Sequence, residues 1–191
     1  IKKMMKKYLL TSLVALLIVS ISSCTDSERF EIEKGKIGHL TTNTKIQELS
    51  KIFKNDSIVT NLSEGSLGDN YFQDDDEYLI YDKEGKHLLT IIPKEQLDST
   101  STIKSVEIYD DRYKTITGLN IRTTFADIRA NNNINKIESS FSSATLFIDD
   151  LNATIAIDKE ELGLKAFSNQ KVRLDQIPDL AKMKTLIVWF N

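Results

Sequence analysis

The feature that most constrains this fold is a set of short apolar runs with a two-residue period, each closed by a turn signal. In residues 103–109, Val106 and Ile108 face one way and Glu107 the other, the pattern of a half-buried strand. Ala153, Ile155 and Ile157 share a face in the same manner. Residues 78–81 and 86–92 flank Asp82-Lys83-Glu84-Gly85, which reads as a hairpin: Gly85 supplies the positive φ of the turn and Pro93 stops the second strand. Further strands are expected at 36–40, 58–61, 134–138 and 145–148, the last leading into a turn over Asp149-Asp150-Leu151-Asn152. Helical spacing occurs at Ile46, Leu49, Ile52 and Phe53, where Thr44-Lys45-Ile46-Gln47 fits a capping box, and again over 125–130 before Asn131-Asn132-Asn133. Ile177-Pro178 should open one more helical turn, 179–183.

This order has an internal echo. The stretch Gly38 to Thr44, followed by a helix, has a counterpart in Gly118 to Thr124, also followed by a helix. Strand, helix, strand, hairpin therefore occurs twice. The expected fold class is α+β: a mostly antiparallel sheet with short helices on one face, built from two related units within a single domain over residues 35–191. Residues 185–190 are apolar on both faces, Leu186, Val188 and Phe190 against Ile187 and Trp189, which places them inside the sheet with cover on both sides.

Ahead of the domain, Lys2, Lys3, Lys6 and Lys7 precede the uncharged residues 9–21, the layout of a secretory signal. The run is shorter than the roughly 20 apolar residues that span a bilayer. It ends in Ile21-Ser22-Ser23-Cys24, which resembles the lipobox of bacterial lipoproteins: an aliphatic residue, two small ones, then the cysteine that is lipidated. That resemblance implies removal of residues 1–23, acylation of Cys24, and a flexible tether over 24–34. Ordinary cleavage near Ser23, leaving Cys24 free, is the plainer alternative. A lipidated Cys24 would hold the protein at a membrane of the cell envelope, expected to be the outer membrane, on its periplasmic or surface side.

Charge and composition narrow the partners. The formal net charge is −3, and the four lysines of the leading segment would leave with it, so the domain is more acidic still. Basic residues are scattered while acids group as Asp74-Asp75-Asp76-Glu77, which argues against a nucleic-acid partner. Cys24 is the sole cysteine, so no disulfide staples the fold. The two histidines, His39 and His87, lack a second ligand at metal spacing, and no Gly-x-Ser-x-Gly elbow or phosphate-cradling glycine loop occurs. No catalytic residue, metal site or cofactor is therefore expected. Asp74 to Glu77 could offer carboxylates to calcium but read better as part of a solvated loop over 63–76, and Asp110-Asp111 and Asp149-Asp150 read as turn residues at strand ends. Asn55, Asn61 and Asn152 match the N-glycosylation pattern, and Asp56-Ser57-Ile58 resembles an O-glycosylation motif that makes Ser57 a candidate.

Several segments resemble the small sigma-E-regulated (RpoE-regulated) bacterial lipoproteins, whose domain has no assigned activity. The residues that carry it are Ile37-Gly38-His39-Leu40-Thr41 with Thr44, then Val106-Glu107-Ile108 and Asp110. Thr117-Gly118-Leu119-Asn120-Ile121 with Thr123 to Asp127 adds to it, as does the end from Ile177-Pro178 to Ile187-Val188-Trp189. Arg122 departs from the glycine expected in that loop. The resemblance implies an envelope lipoprotein associated with envelope stress and supplies no catalytic residues. The expected function is non-catalytic binding of an envelope protein or component. A carboxylate-dependent envelope enzyme and a small-solute-binding module are the alternatives. If residues 185–190 are structural, truncation after Lys184 leaves an insoluble protein, and recovery of soluble, folded material from that truncation would refute the assignment.

Overall fold

The structure, a computed structural model, describes residues 28–63 and 75–190; the signal segment, Cys24 and Asp74 lie outside the described residues, as does most of the loop expected at 63–76. Two sheets form among them. The small one orders β1 (Ile32–Glu33), β2 (Lys36–Ile37) and β3 (Leu40–Thr41). The large one contains β4 (Ser57–Asn61), β5 (Glu77–Tyr81), β6 (His87–Pro93), β7 (Ile103–Ile108), β8 (Ile134–Ser139), β9 (Ser143–Ile148), β10 (Ala153–Asp158) and β11 (Thr185–Trp189). Its order is β4-β5-β6-β7-β11-β10-β9-β8, with every neighbouring pair antiparallel.

Alternation decides which way each strand faces. Val188 lies between Val106 of β7 and Ala153 of β10, and all three are buried. The next residue, Ile187, lies between Glu107 and Thr154 on the opposite face. The buried face packs into one core with α1 (Leu49–Ile52), α2 (Phe125–Asn131) and the small sheet, through Leu49, Phe53, Phe125, Ile128, Ile37 and Leu40. The helices therefore lie against a single face, and the broad α+β expectation of a mostly antiparallel sheet stands. Each half of the large sheet is a four-strand meander preceded by a helix, α1 before β4 to β7 and α2 before β8 to β11.

Several local expectations change. Residues 36–40 do not form one strand: a turn at Gly38-His39 splits them between β2 and β3. Ile32 is buried and β1 pairs with β2, so residues 28–34, expected in the tether, belong to the domain. The first helix begins with a 3-10 turn, Ile46–Glu48, and its reciprocal cap is displaced by one residue: the Lys45 N–H donates to Glu48 Oε2 at 2.8 Å, while Thr44 Oγ1 accepts from the Thr41 N–H. No helical turn forms at 179–183; the 3-10 turn is at Leu174–Gln176, and Pro178 instead accepts a turn hydrogen bond from the Ala181 N–H. Residues 118–124 form no strand beyond an isolated bridge from Thr124 to Lys182, so their likeness to 38–44, where β3 lies, does not extend to secondary structure. β11 is central as expected, but its residues alternate between buried and half-buried, so it is covered on one face only.

Gly38 shows how tightly the leading segment is seated. It has φ of 55°, and a Cβ built there would lie 2.2 Å from the Arg29 carbonyl oxygen. Gly85 has φ of 81° with nothing within 4 Å. Gly85→Ala should therefore cost only the left-handed backbone penalty, about 1–2 kcal/mol, whereas Gly38→Ala adds a backbone clash and should cost roughly 3–5 kcal/mol. Urea denaturation of both variants checks the ordering, and equal losses would contradict it.

Candidate functional site

The face of the large sheet opposite the core carries apolar side chains that are mostly half-buried. Val59, Leu79, Ile92, Phe147, Ile187 and Trp189 point there by register, and none belongs to the core cluster or packs against it. Val59 is 48% exposed and the other five are half-buried by their neighbours on the sheet. Trp189 donates from Nε1 to Thr154 Oγ1 at 3.1 Å, which fixes its indole on this face. Toward β5 and β6 the same face carries a ring stack: His87 lies between Tyr81 and Tyr109, with centroids 4.8 and 4.0 Å apart. Partial burial lowers the His87 pKa, against the pull of a hydrogen bond at Leu89 and the charges of Glu107 and Glu77. Burial and then Glu107 push the Tyr109 hydroxyl up to about 12. The face thus combines apolar side chains on β6, β11 and β9 with polar ones, Ser105 and Glu107 of β7 and Thr154 of β10, set between them.

A second feature is an ion-pair network where the leading segment meets the sheet. Arg29 donates twice from Nη2 to Asp56, at 2.8 Å to each oxygen. Arg112 bonds Asp110 at 2.7 Å and Asp82 at 3.0 Å, and Lys86 approaches Asp110 to 2.9 Å. Phe30 lies under both guanidiniums, at 5.2 and 4.8 Å, and meets Tyr113 edge-on. Asp110 is fully buried, which raises its carboxyl, yet hydrogen bonds from Arg112 and Lys86 outweigh burial and bring it to about 2. The shallow groove here, about 240 Å3, has Asp56 and Asp82 on its wall, and each faces an arginine. Acids held in this way suit structure better than proton transfer.

A polar groove of about 330 Å3 lies between loop 117–123 and the end of α2, lined by Gly118, Asn120, Arg122, Thr123, Asp127 and Asn131. Local hydrogen bonds hold the loop, with the Arg122 N–H donating to Asn120 Oδ1 and the Asn120 N–H to Thr123 Oγ1. Arg122 also pairs with Asp111 at 2.7 Å. The residue that departs from the sigma-E-regulated pattern is thus tied into the ionic network.

The remaining sequence candidates are dispersed. His39 is an exposed turn residue far along the chain from His87, and His87 is engaged by Thr90 Oγ1 and the Leu89 carbonyl, each at 3.1 Å. The acidic run is not a uniformly solvated loop: Asp76 is buried, accepting from Ser63 and from the Leu97 N–H, and Glu77 begins β5. Those hydrogen bonds lower the Asp76 pKa despite burial. Asp75 approaches Lys104 to 3.2 Å. Asp150 accepts from the Asn133 N–H, consistent with a turn role. Ser57 is exposed at the first residue of β4, while Asp56 beside it is held by Arg29. Asn152 is part-buried, donating to the Trp189 carbonyl. Among the described residues no group of three or more His, Cys, Asp or Glu could hold a metal, and no helix is long and apolar enough to cross a membrane. The open face and Arg112 carried no motif; only the double apolar alternation of residues 185–190 signalled the first.

Because Asp110 is depressed in the folded state, its contribution is present above the ordinary carboxylate pKa near 3.8 and is lost as pH falls toward 2. Asp110→Asn should destabilise the protein at pH 7 by on the order of 1–2 kcal/mol, allowing for screening at its half-exposed cations. Thermal melts of the parent and the variant should converge as pH falls from about 4 to about 2, and a gap independent of pH would contradict this.

No family model and no curated protein matches the chain. Among solved structures, the fold is similar to that of the uncharacterized protein yfeY from Escherichia coli, with a TM-score of 0.51 at 12% identity, covering 83% of this chain and 99% of that one.

Proposed function

We propose that this chain is a bacterial envelope lipoprotein, anchored through Cys24, whose domain works by binding a protein partner on the open face of its large sheet. The observation that carries this is the group Ile92, Ile187 and Trp189 on the central strands, none of which packs against the core, with Phe147 beyond Thr154 lying under the Lys136 ammonium at 5.3 Å. Isolated surface apolar residues need no explanation, but a contiguous group marks an interaction site. Glu107 stands beside Ile187 and Glu77 lies toward β4, while Lys136 borders the β9 side, so the fitting partner surface is apolar with a basic group opposite the β5 to β7 side. The lipobox and the resemblance to sigma-E-regulated lipoproteins support the envelope placement and the link to envelope stress. More than one acyl chain on Cys24 would make the attachment stable, since a single chain binds only marginally. We also read the two helix-plus-meander halves as related units, which the parallel order of their elements supports.

Two experiments separate anchor from surface. The protein should partition into the detergent phase and cease to do so as Cys24→Ala; continued partitioning of that variant would defeat the anchor. A photo-crosslinker at Ile187 should capture one protein in intact cells, and Trp189→Ala should reduce that capture about tenfold, the loss expected for a buried aromatic anchor. A crosslinker at Arg129, on the helical side, should not capture it. Equal capture from both positions would reject the surface.

A further inference from the structure

The two outer edges of the large sheet are treated differently. β8 carries Lys136 and Glu138, which pair with each other, and its register with β9 is interrupted between Ile134 and Lys136. Charge and a bulge are the usual means by which a sheet edge is kept from adding a strand. β4 has neither: its sequence Ser57-Ile58-Val59-Thr60-Asn61 is uncharged and rich in β-branched residues, and it pairs with β5 in unbroken register. Ser57, Val59 and Thr60 are exposed, and among the described residues no strand pairs on the outer side of β4. Half of its backbone N–H and C=O groups therefore lie along an open edge.

We propose that β4 is a homodimerisation edge, pairing antiparallel with β4 of a second copy of this chain. With one unguarded edge per molecule, addition of β4 to the guarded β8 of another copy is disfavoured, so open-ended growth is disfavoured too; self-pairing of β4 closes after two copies. The strand is self-complementary about Val59. A two-fold axis there sets Val59 against itself, Ile58 against Thr60, and Ser57 against Asn61, with no charge opposed to like charge. Val59 is on the open face beside Leu79, so the pairing also joins the apolar faces of both copies into one. A five-residue ladder is a small interface, so the dimer is weak in solution and favoured where copies are concentrated. The inference concerns the edge alone and does not rest on the anchor or on the partner-binding face.

Antiparallel neighbours place Cα atoms about 4.5–5.5 Å apart, within disulfide reach. The test uses the full-length chain in mild detergent with Cys24→Ser, its mass confirming that Ser57 is unmodified. Adding Val59→Cys should give a disulfide-linked dimer under mild oxidation, while Lys136→Cys at the other edge should crosslink at least about tenfold more slowly. In sedimentation experiments Val59→Lys should raise the dimer dissociation constant at least about tenfold, with circular dichroism unchanged. A chain that is monomeric throughout, or one that crosslinks equally from both edges, would overturn the proposal. So would β4 amides that become protected from hydrogen exchange only on adding an extended foreign peptide, which would assign the edge to a different partner.

Discussion

Pairing of β11 with β7 joins the end of the chain to its middle, and both halves of the large sheet meet across it. Val188 against Val106, with Leu186 and Ile155 beside them, forms the floor onto which α1, α2 and the small sheet pack. Burial of one fully enclosed aliphatic side chain is worth about 1.5–3 kcal/mol, and this floor contains many. The same pairing sets the opposite face, because residues adjacent in a strand must point to opposite sides. Seating Val188 in the core commits Ile187 and Trp189 to the open surface.

The ionic network solves a different problem, that of fastening a leading segment with little regular structure. Arg29, Phe30 and Gly38 lock residues 28–38 against the start of β4 and the turn at 110–113. Backbone bonds from the Ile32 and Lys114 N–H groups complete the joint. Were Cys24 lipidated as proposed, a pull on it would enter the domain at this fixed point beside the sheet. In this arrangement the charges hold the segment in register while apolar burial supplies most of the free energy, as the modest net value of exposed ion pairs requires.

The strands were legible in sequence because alternation and turn chemistry are local. The hairpin about Gly85, the run through Ile108 and the run through Ile157 all lie where their patterns place them. What sequence could not supply was pairing order, which depends on contacts between residues far apart. Residues 185–190 illustrate this. Apolar character on both faces marked a central strand, but the same pattern arises when one face meets a core and the other stands open. Asp76 and Asp110 were misplaced for a related reason: acids beside turns read as solvated, whereas distant N–H donors and cations, Leu97 for one and Lys86 for the other, draw them inside. The proposed binding surface was hidden most completely, since its apolar residues come from five strands, β4, β5, β6, β9 and β11, rather than from any contiguous motif.

The central claim is that one face of this sheet stands uncovered in the isolated protein and is the face a partner covers. Trp189 is the only tryptophan, so its fluorescence reports on that face alone. Acrylamide quenching should be efficient in the purified protein and strongly reduced when the same chain is measured in envelope membranes containing its partner, against a background of tryptophan-free analogue labelling. A blue-shifted, unquenchable Trp189 in the purified protein would mean that the face is already buried, and would contradict the account.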